Sequence, residues 1–475
     1  MMACWDTGWK WRCSPWARVL WSFGLWFAWG IGAPKASDLA VPYARLVGEA
    51  RSFCARPWVA SRKQGAQEVG GTLHWVSLAR LPHSAHGTLS CALGRRPMIA
   101  VTMIDKGQPH TWRCAAVGLR GSGPRGAAPD LFELQGSTFC AIPVGAAAGV
   151  QALAFWGGRG ARSTFRHVWI ASRGRTWLVS ALLVGDVASG AYRFTIRGQK
   201  TIRMIVKATL FFRHRPPRVW GIPALASLYD YGISNHMPVQ ALYPARHKSD
   251  GLWVQTPKTA YWAPLRNPRA AFCVRFFLST VRAFGLLQRD RTARYYGTQR
   301  ARYQDASNAW VRIPKGLQGH VVLREWPTKA GHYDNIVASF VPMVRPLAHK
   351  AWTVSYQLIW TRQNPTQASV AAVVSTLIGG DAPTGARKYV IDYAGGPLPA
   401  LGAHASIAGE VQVRPDTFVA QNTVRFNPYT GGWRQVIQVL PLADHNLHVK
   451  AWLTLHHHLL SEFWEYDILR PRISH

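Results

Sequence analysis

The sequence is poor in acidic side chains. Of its 475 residues, 22 are Asp or Glu and 56 are Lys or Arg, which gives a formal net charge of +34. Such an excess suits nucleic-acid binding when the cations are clustered. Here they are spread along the chain, without zinc-finger spacing, a ribonucleoprotein aromatic motif or a basic helix. We therefore expect no nucleic-acid partner; a solvated basic surface and an anionic ligand or membrane surface remain as alternatives.

Cysteine is also sparse, and its spacing lacks the common metal-binding patterns. The chain has seven Cys and no CxxC pair. We therefore predict no metal site and no cofactor. An exported protein can form disulfides, but their pairing does not follow from the spacing.

The amino terminus has the pattern of an export signal. Basic residues precede an apolar run over 19–32, and small residues follow at 32–37. This run is shorter than the roughly 20 residues that a membrane-spanning helix needs. We therefore predict a signal peptide over 1–36 and export to the periplasm, with an uncleaved anchor as the alternative.

The residues beyond the signal favour a mostly β protein. One helix is predicted over 39–55, and strands follow it. Residues 192–197 alternate as a half-buried strand does, and Gly198 supplies a turn to the strand predicted over 201–212. The 30 Pro and 42 Gly punctuate the chain throughout. No strands alternate with long helices, so we expect antiparallel hairpins and no parallel α/β sheet.

The last third of the chain indicates a second domain. A short polar stretch with Pro342 and Pro346 is a candidate linker. Short strand candidates separated by turns follow it, and their number and spacing indicate an immunoglobulin-like sandwich. The candidates are 352–361, 370–377, 388–393, 409–413, 421–426, 432–439 and 449–455. We predict one domain over 37–345 and an immunoglobulin-like domain over 350–475.

Several short motifs together carry a resemblance to a known family. They are SGAYRF at 189–194, SDGL at 249–252, PLRNP at 264–268, FGLLQRDR at 284–291, DNIVA at 334–338, NPYTGGWR at 427–434 and LSEFW at 460–464. In this order and spacing, the chain from about 165 to 466 resembles the periplasmic glucan biosynthesis protein G/D family, also called OpgG/MdoG.

The resemblance implies a fold and a biological setting. The expected fold is a large amino-terminal β-sandwich of the galactose-mutarotase type, with a long cleft, followed by a smaller immunoglobulin-like β-sandwich. The family serves the synthesis of osmoregulated periplasmic glucans, which are β-1,2-linked glucose chains. It acts alongside an inner-membrane glucosyltransferase, and some members hydrolyse β-1,2-glucan with inversion. The expected partners are therefore a β-glucan and, functionally, that glucosyltransferase.

The catalytic positions implied by the resemblance are only partly occupied by carboxylates. Inverting hydrolysis uses one carboxylic acid to protonate the leaving oxygen and one carboxylate to activate water. The implied acid is Asp334, and Lys248 occupies the expected base position. A lysine is a cation at neutral pH and accepts no proton from water unless burial removes its charge. Asp250 is a possible substitute base, and Gly331 stands where the family commonly has a further carboxylate.

Aromatic residues are the candidate sugar contacts. Tyr303 matches a family tyrosine that touches sugar, and Trp262, Trp253 and Trp310 are candidates because indole rings stack on sugar rings. Core packing is the alternative for each of the tryptophans. We also expect Arg289 and Asp290 to form a buried ion pair, and the three histidines at 456–458 to lie in a solvated loop.

These observations favour a periplasmic factor in glucan biosynthesis that binds β-1,2-linked glucan in a cleft of the amino-terminal domain. One alternative is an inverting β-1,2-glucan hydrolase with an impaired base position, because Asp334 is present. Another is a basic binder of anionic polymer, which only the charge supports. Salt dependence distinguishes this last alternative from the other two functions, because the affinity for a polyanion falls steeply with ionic strength.

Overall fold

The fold is taken from a computed structural model of the chain. The structure describes residues 42–57, 72–75, 89–91, 99–104, 111–116, 130–173, 176–218, 220–234, 241–278, 280–297, 301–328, 333–365, 369–380, 385–442 and 445–469. The predicted signal peptide over 1–36 lies outside these residues. Within them, no helix is long and apolar enough to cross a membrane.

Strands dominate the described residues, and helices are few and short. The helices are α1 (Tyr43–Ala55) and α2 (Ala293–Tyr296), with 3-10 turns at Tyr303–Asp305 and Leu398–Ala400. The strands are β1 (Thr72–Trp75), β2 (Leu89–Cys91), β3 (Ile99–Ile104), β4 (Thr111–Ala116), β5 (Asp130–Gln135), β6 (Thr138–Ala141), β7 (Gln151–Leu153), β8 (Ser163–Arg173), β9 (Thr176–Gly185), β10 (Ala188–Arg197), β11 (Thr201–Phe212), β12 (Ala224–Ser227), β13 (Tyr229–Tyr231), β14 (Arg246–His247), β15 (Gly251–Gln255), β16 (Ala260–Pro264), β17 (Phe272–Phe276), β18 (Ala283–Leu287), β19 (Asn308–Arg312), β20 (Gly319–Glu325), β21 (Ile336–Pro342), β22 (Trp352–Thr361), β23 (Ala372–Gly380), β24 (Arg387–Ala394), β25 (Ala408–Arg414), β26 (Val419–Asn427), β27 (Gly432–Val439), β28 (Leu447–Leu455), β29 (His458–Leu459) and β30 (Phe463–Ile468).

Two large sheets form a sandwich. The larger sheet has 14 strands in the order β1-β8-β9-β10-β11-β22-β19-β18-β15-β16-β30-β28-β25, with β29 paired to β28. The second sheet has 10 strands in the order β17-β20-β21-β12-β7-β6-β5-β4-β3-β2. Their facing side chains form the first core, in which Phe194 and Trp360 of the larger sheet pack with Phe139 of the second. This is the predicted mostly-β sandwich.

Side chains alternate along the central strands, so the larger sheet has one face in the first core and one outward face. On β11, Ile202, Met204 and Val206 point into the first core, whereas Arg203 and Lys207 point outward. This is the period of two that a strand imposes on its side chains. The outward face therefore has to be covered by other elements or remain exposed to solvent.

Two different elements cover parts of this outward face. Helix α1 packs its Leu46 and Ala50 against Leu182 and Phe211 at one end of β9–β11. Further along the sheet, β23, β24, β27 and β26 form a four-stranded sheet that packs on the outward side chains of β15, β16, β18 and β19. The larger sheet is therefore shared by separate hydrophobic cores.

The seven strands predicted after residue 350 are all present as β22–β28, although their ends differ by a few residues. The first of them does not belong with the others. Strand β22 pairs with β11 on one side and with β19 on the other, inside the larger sheet. Strand β22 directly follows the stretch predicted as a linker. Because of its pairing, we assign it to the sandwich that the preceding residues form. The division into two domains remains a prediction.

Gly285 allows close packing in the core beneath the four-stranded sheet. A Cβ atom at this position would lie 2.4 Å from Cβ of Trp310 and 2.6 Å from the Ala309 carbonyl oxygen. We expect Gly285→Ala to lower the free energy of unfolding by about 1–3 kcal/mol, because a packed core resists added volume. Gly379→Ala is the control, since a Cβ there meets nothing within 4 Å. Urea unfolding of both variants measures the difference, and equal midpoints would contradict this account of the packing.

Candidate functional site

The implied acid and the lysine at the implied base position lie side by side. Nζ of Lys248 donates a hydrogen bond to Oδ1 of Asp334 at 2.9 Å, across 86 residues of sequence. The backbone N–H of Lys248 bonds to the Leu228 carbonyl at 2.9 Å. Asn335 holds the adjacent Tyr229 through its side-chain amide, at 2.9 Å in both directions. Leu228 and Tyr229, where β12 ends and β13 begins, therefore bind the backbone of Lys248 and the side chain of Asn335, the neighbour of Asp334.

The ion pair is partly accessible to solvent, with 24% of the Lys248 side chain and 16% of the Asp334 side chain exposed. An ion pair requires a deprotonated carboxylate, whereas a general acid has to carry a proton. In this arrangement Asp334 accepts a hydrogen bond from a cation, and that cation stands at the position where the resemblance implies a base.

A second ion pair involves Arg246, which lies two residues before Lys248. Nε of Arg246 donates to Oδ2 of Asp230 at 2.6 Å, and Nδ2 of Asn267 donates to the other oxygen at 3.2 Å. Asn267 also bonds the Thr328 carbonyl at 2.7 Å, close to the chain that leads to Asp334. We call the four charged residues Asp230, Arg246, Lys248 and Asp334 the polar cluster. Each of its carboxylates is matched by a cation.

Asp250 is held by the backbone of the QRDR segment. Its Oδ2 accepts the N–H groups of Arg289 at 2.5 Å and Asp290 at 2.6 Å. Burial and the nearby Asp290 carboxylate together raise the pKa of Asp250 to about 7, although the two backbone hydrogen bonds act in the opposite direction. Asp250 lines a small pocket together with Trp262, Arg289 and Asp290, and neither Lys248 nor Asp334 is among its lining residues. Its role as a substitute base stays a prediction, without support from proximity to Asp334.

His247 links the turn before Asp250 to the QRDR segment. Its Nδ1 lies 3.1 Å from Oε1 of Gln288 and 3.3 Å from Oδ1 of Asp250. Its ring stacks on Tyr229 with a centroid distance of 4.9 Å. Burial lowers the pKa of His247 to about 4, although the hydrogen bond with Gln288 acts in the opposite direction. His247 is therefore a neutral, structural side chain near pH 7.

Arg289 pairs with Glu462, and the expected pair with Asp290 is wrong. Nη1 and Nη2 of Arg289 donate to the two carboxylate oxygens of Glu462 at 2.8 and 3.0 Å. Glu462 also accepts the Val373 N–H at 3.1 Å. The guanidinium lies 3.7 Å from the centroid of the Trp262 ring. The Asp290 carboxylate instead accepts the backbone N–H of Thr292 at 2.9 Å, directly before α2.

Tyr303 lies at the edge of the site on a 3-10 turn. Arg291 holds this turn by donating to the carbonyl oxygens of Gln304 and Ala306 at 2.8 and 2.9 Å. The Tyr303 ring is half-buried and lies 6.4 Å from the Tyr296 ring centroid. Burial raises the pKa of Tyr231, and Tyr303 is among the neighbours that raise it further. Tyr231 in turn lies under the Arg246 guanidinium of the polar cluster.

The three tryptophans proposed as sugar contacts lie in the core beneath the four-stranded sheet. The exposed fractions are 2% for Trp253, 3% for Trp262 and 9% for Trp310. A ring needs an open face to stack on a sugar, and these rings use their faces for packing. Their burial favours the core-packing alternative, and they are not carried into the proposal below.

Trp326 and Trp156 are aromatic residues that the sequence reasoning missed. Their half-buried rings are 5.5 Å apart, and Asn335 donates to the Trp326 carbonyl at 2.9 Å. Trp326 thus lies across a short connection from Asp334. The signal available in the sequence was a tryptophan directly after β20, at the end where the DNIVA motif begins β21. Gly331 lies outside the described residues.

The described ranges contain no group of three or more His, Cys, Asp or Glu side chains arranged to hold a metal ion. The three consecutive histidines do not form such a group. His456 and His457 form the tight turn between β28 and β29, with φ values of 49° and 65°, and His458 is the first residue of β29. A turn at this position agrees with the loop predicted for them.

A β-sandwich with a polar cluster at its strand ends is the class of protein that this structure defines. The family model described as "Periplasmic glucan biosynthesis protein, MdoG" matches residues 159–468. The chain belongs to this family, as the motifs indicated.

Proteins named "Glucans biosynthesis protein G" are similar to this chain. That of Sodalis glossinidius is 32% identical over 321 residues, which cover 64% of this chain and 61% of the relative. That of Serratia proteamaculans is 31% identical over 322 residues, with coverage of 64% and 61%. That of Pseudomonas putida KT2440 is 33% identical over 276 residues, with coverage of 55% and 49%. The matches therefore span about half to three fifths of the length of these curated relatives.

Removing one partner of the buried Arg289–Glu462 pair should be strongly destabilising. Only 6% of the arginine and 2% of the glutamate side chain are exposed. We expect Glu462→Gln to lower the free energy of unfolding by about 3–5 kcal/mol, because it leaves a buried guanidinium without its counter-charge. Glu49→Gln breaks the exposed Arg45–Glu49 pair and should cost less than about 0.5 kcal/mol. Denaturant unfolding compares the two, and a similar cost for both would contradict the importance of burial.

Asp250 should make stability depend on pH in a defined direction. Its pKa is higher in the folded protein, about 7, than the ordinary value of 3.8. The folded state therefore holds this proton more tightly, and the contribution of Asp250 falls as pH rises from about 4 to about 7. We expect the stability of the wild type relative to Asp250→Asn to decline over this range. Urea unfolding at a series of pH values measures it, and a relative stability that increases with pH would refute the assignment.

Proposed function

We propose that this protein serves periplasmic glucan biosynthesis by binding β-1,2-linked glucan in a cleft of its amino-terminal sandwich, at the polar cluster. Family membership supports the role in glucan biosynthesis and the periplasmic setting. The observation that carries the binding role is the Lys248–Asp334 ion pair at 2.9 Å. It leaves charged oxygen and nitrogen atoms at a partly open site, and such atoms hydrogen-bond sugar hydroxyls.

Tyr303 and Trp326 complete the proposed site. Tyr303 is half-buried beside Tyr231 and the Arg246–Asp230 pair, and Trp326 is half-buried beside the segment that carries Asp334. A ring with one open face is suited to stacking on a glucose unit. The polar cluster would then fix the orientation of the chain, and the two rings would supply apolar contact on its sides.

Hydrolysis is the second candidate function, and the presence of Asp334 is the observation that favours it. It would require Asp334 to release Lys248 and take up a proton. It would also require a base in place of the lysine, and the nearby candidate Asp250 faces a different pocket. The proposed functional partner in synthesis is an inner-membrane glucosyltransferase, which would produce the glucan that this protein receives.

The function is tested by incubating the purified protein with linear β-1,2-glucan. Calorimetry measures binding, and released reducing ends measure hydrolysis. We expect binding that is insensitive to salt, since the glucan is neutral, and no increase in reducing ends. Reducing ends released by the wild type but not by Asp334→Asn would establish the hydrolase instead.

The same assay tests the location of the site. We expect Lys248→Ala and Asp334→Ala each to weaken glucan binding by about tenfold, and the double variant to lose less than the product, because the two side chains form one unit. Lys258→Ala is the control, since Lys258 is exposed in the turn between β15 and β16. Unchanged binding in both single variants, with an unchanged fold, would place the glucan elsewhere.

A further inference from the structure

The outward face of the larger sheet carries an exposed group of cations between α1 and the four-stranded sheet. Arg197, Arg203, Lys207 and Arg312 are exposed, and Arg193 is half-buried. They project from β10, β11 and β19 on the side opposite to the first core. We call this group, together with Ile205, the basic face.

Two pairs of like charges lie directly opposite each other on the basic face. The register of β10 and β11 places Arg197 against Arg203 and Arg193 against Lys207. Such cross-strand pairs destabilise a sheet. Strands β10, β11, β19 and β22 contain no Asp or Glu. An anionic surface placed on this face would offset the repulsion between the exposed Arg197 and Arg203, so the face is complementary to negative charge.

The centre of the basic face is apolar. Ile205 is 49% exposed, lies opposite Thr195 and stands between the two cation pairs on β11. An exposed aliphatic side chain surrounded by cations fits the boundary of a lipid layer, where the cations reach the headgroup phosphates and the apolar group enters between them. A linear polyanion such as polyphosphate has no apolar group to place against Ile205.

The amino-terminal segment leaves the fold at the same place. Tyr43 begins α1, and the side chains of Arg193 and Lys207 lie over its ring at 5.2 and 4.8 Å from the centroid. The apolar run over 19–32 ends ten residues before Pro42. Ten residues reach at most about 36 Å when fully extended. If this run stays in the membrane as the uncleaved anchor, that membrane is within reach of the basic face.

We propose that the basic face docks the protein on an anionic phospholipid surface. This inference does not depend on glucan binding, because the polar cluster is built from other strands. Docking would hold the protein at a membrane surface without the use of a membrane-spanning helix in the described residues. The attraction would weaken with added salt, because counterions screen the charges.

Vesicle sedimentation of the full protein tests this proposal. Vesicles of phosphatidylcholine alone are compared with vesicles that also contain phosphatidylglycerol, at low and high salt. The test variant carries Arg197→Gln, Arg203→Gln and Arg312→Gln. The control variant carries Lys388→Gln, Arg414→Gln and Arg425→Gln, which remove the same charge from exposed positions on β24, β25 and β26.

We expect the wild type and the control variant to bind the anionic vesicles at low salt and to lose binding at high salt. The test variant should bind about a hundredfold more weakly, since each cation near the surface contributes roughly fivefold. Ile205→Ser should weaken binding further without changing its salt dependence. Equal binding of test and control variants would overturn the proposal, as would equal binding of the wild type to both kinds of vesicle. Binding of the wild type to polyphosphate but not to vesicles would also overturn it.

Discussion

The larger sheet constrains the whole molecule because its central strands have to satisfy a core on one side and several partners on the other. One set of alternate side chains closes the sandwich with the second sheet. The other set packs against α1 at one end of the sheet and against the four-stranded sheet at the other. Between these two contacts it forms the exposed basic face. Helix, site and carboxyl-terminal strands are therefore positioned by a single array of backbone hydrogen bonds.

The site is built where chain segments that lead into strands of the two large sheets meet. Lys248 precedes β15 of the larger sheet, whereas Asp334 precedes β21 of the second sheet. Their ion pair therefore joins the two layers of the sandwich at one edge. The Arg289–Glu462 pair plays the corresponding part between the larger sheet and the strands that follow residue 369. Each of these junctions pairs one of the chain's 22 acidic residues with a cation.

Much of the fold could be predicted from local patterns. The alternation at 192–197 and the turn at Gly198 correctly predicted the β10–β11 hairpin, and the strand candidates after 350 became β22–β28. Pairing partners could not be predicted in this way. Strand β22 looks like its successors in sequence, yet it fits between β11 and β19 because its alternate residues from Val354 to Trp360 complete the first core.

The sequence by itself determined the mostly-β class and the family, since these depend on composition, short periods and motifs. Only the tertiary structure decided that Lys248 pairs with Asp334, that three tryptophans are core residues and that cations spaced along the chain converge on one face. The physical reason is that side-chain contacts are set by strand register and sheet order. These depend on how both cores are filled at once, and no local window of sequence contains that information.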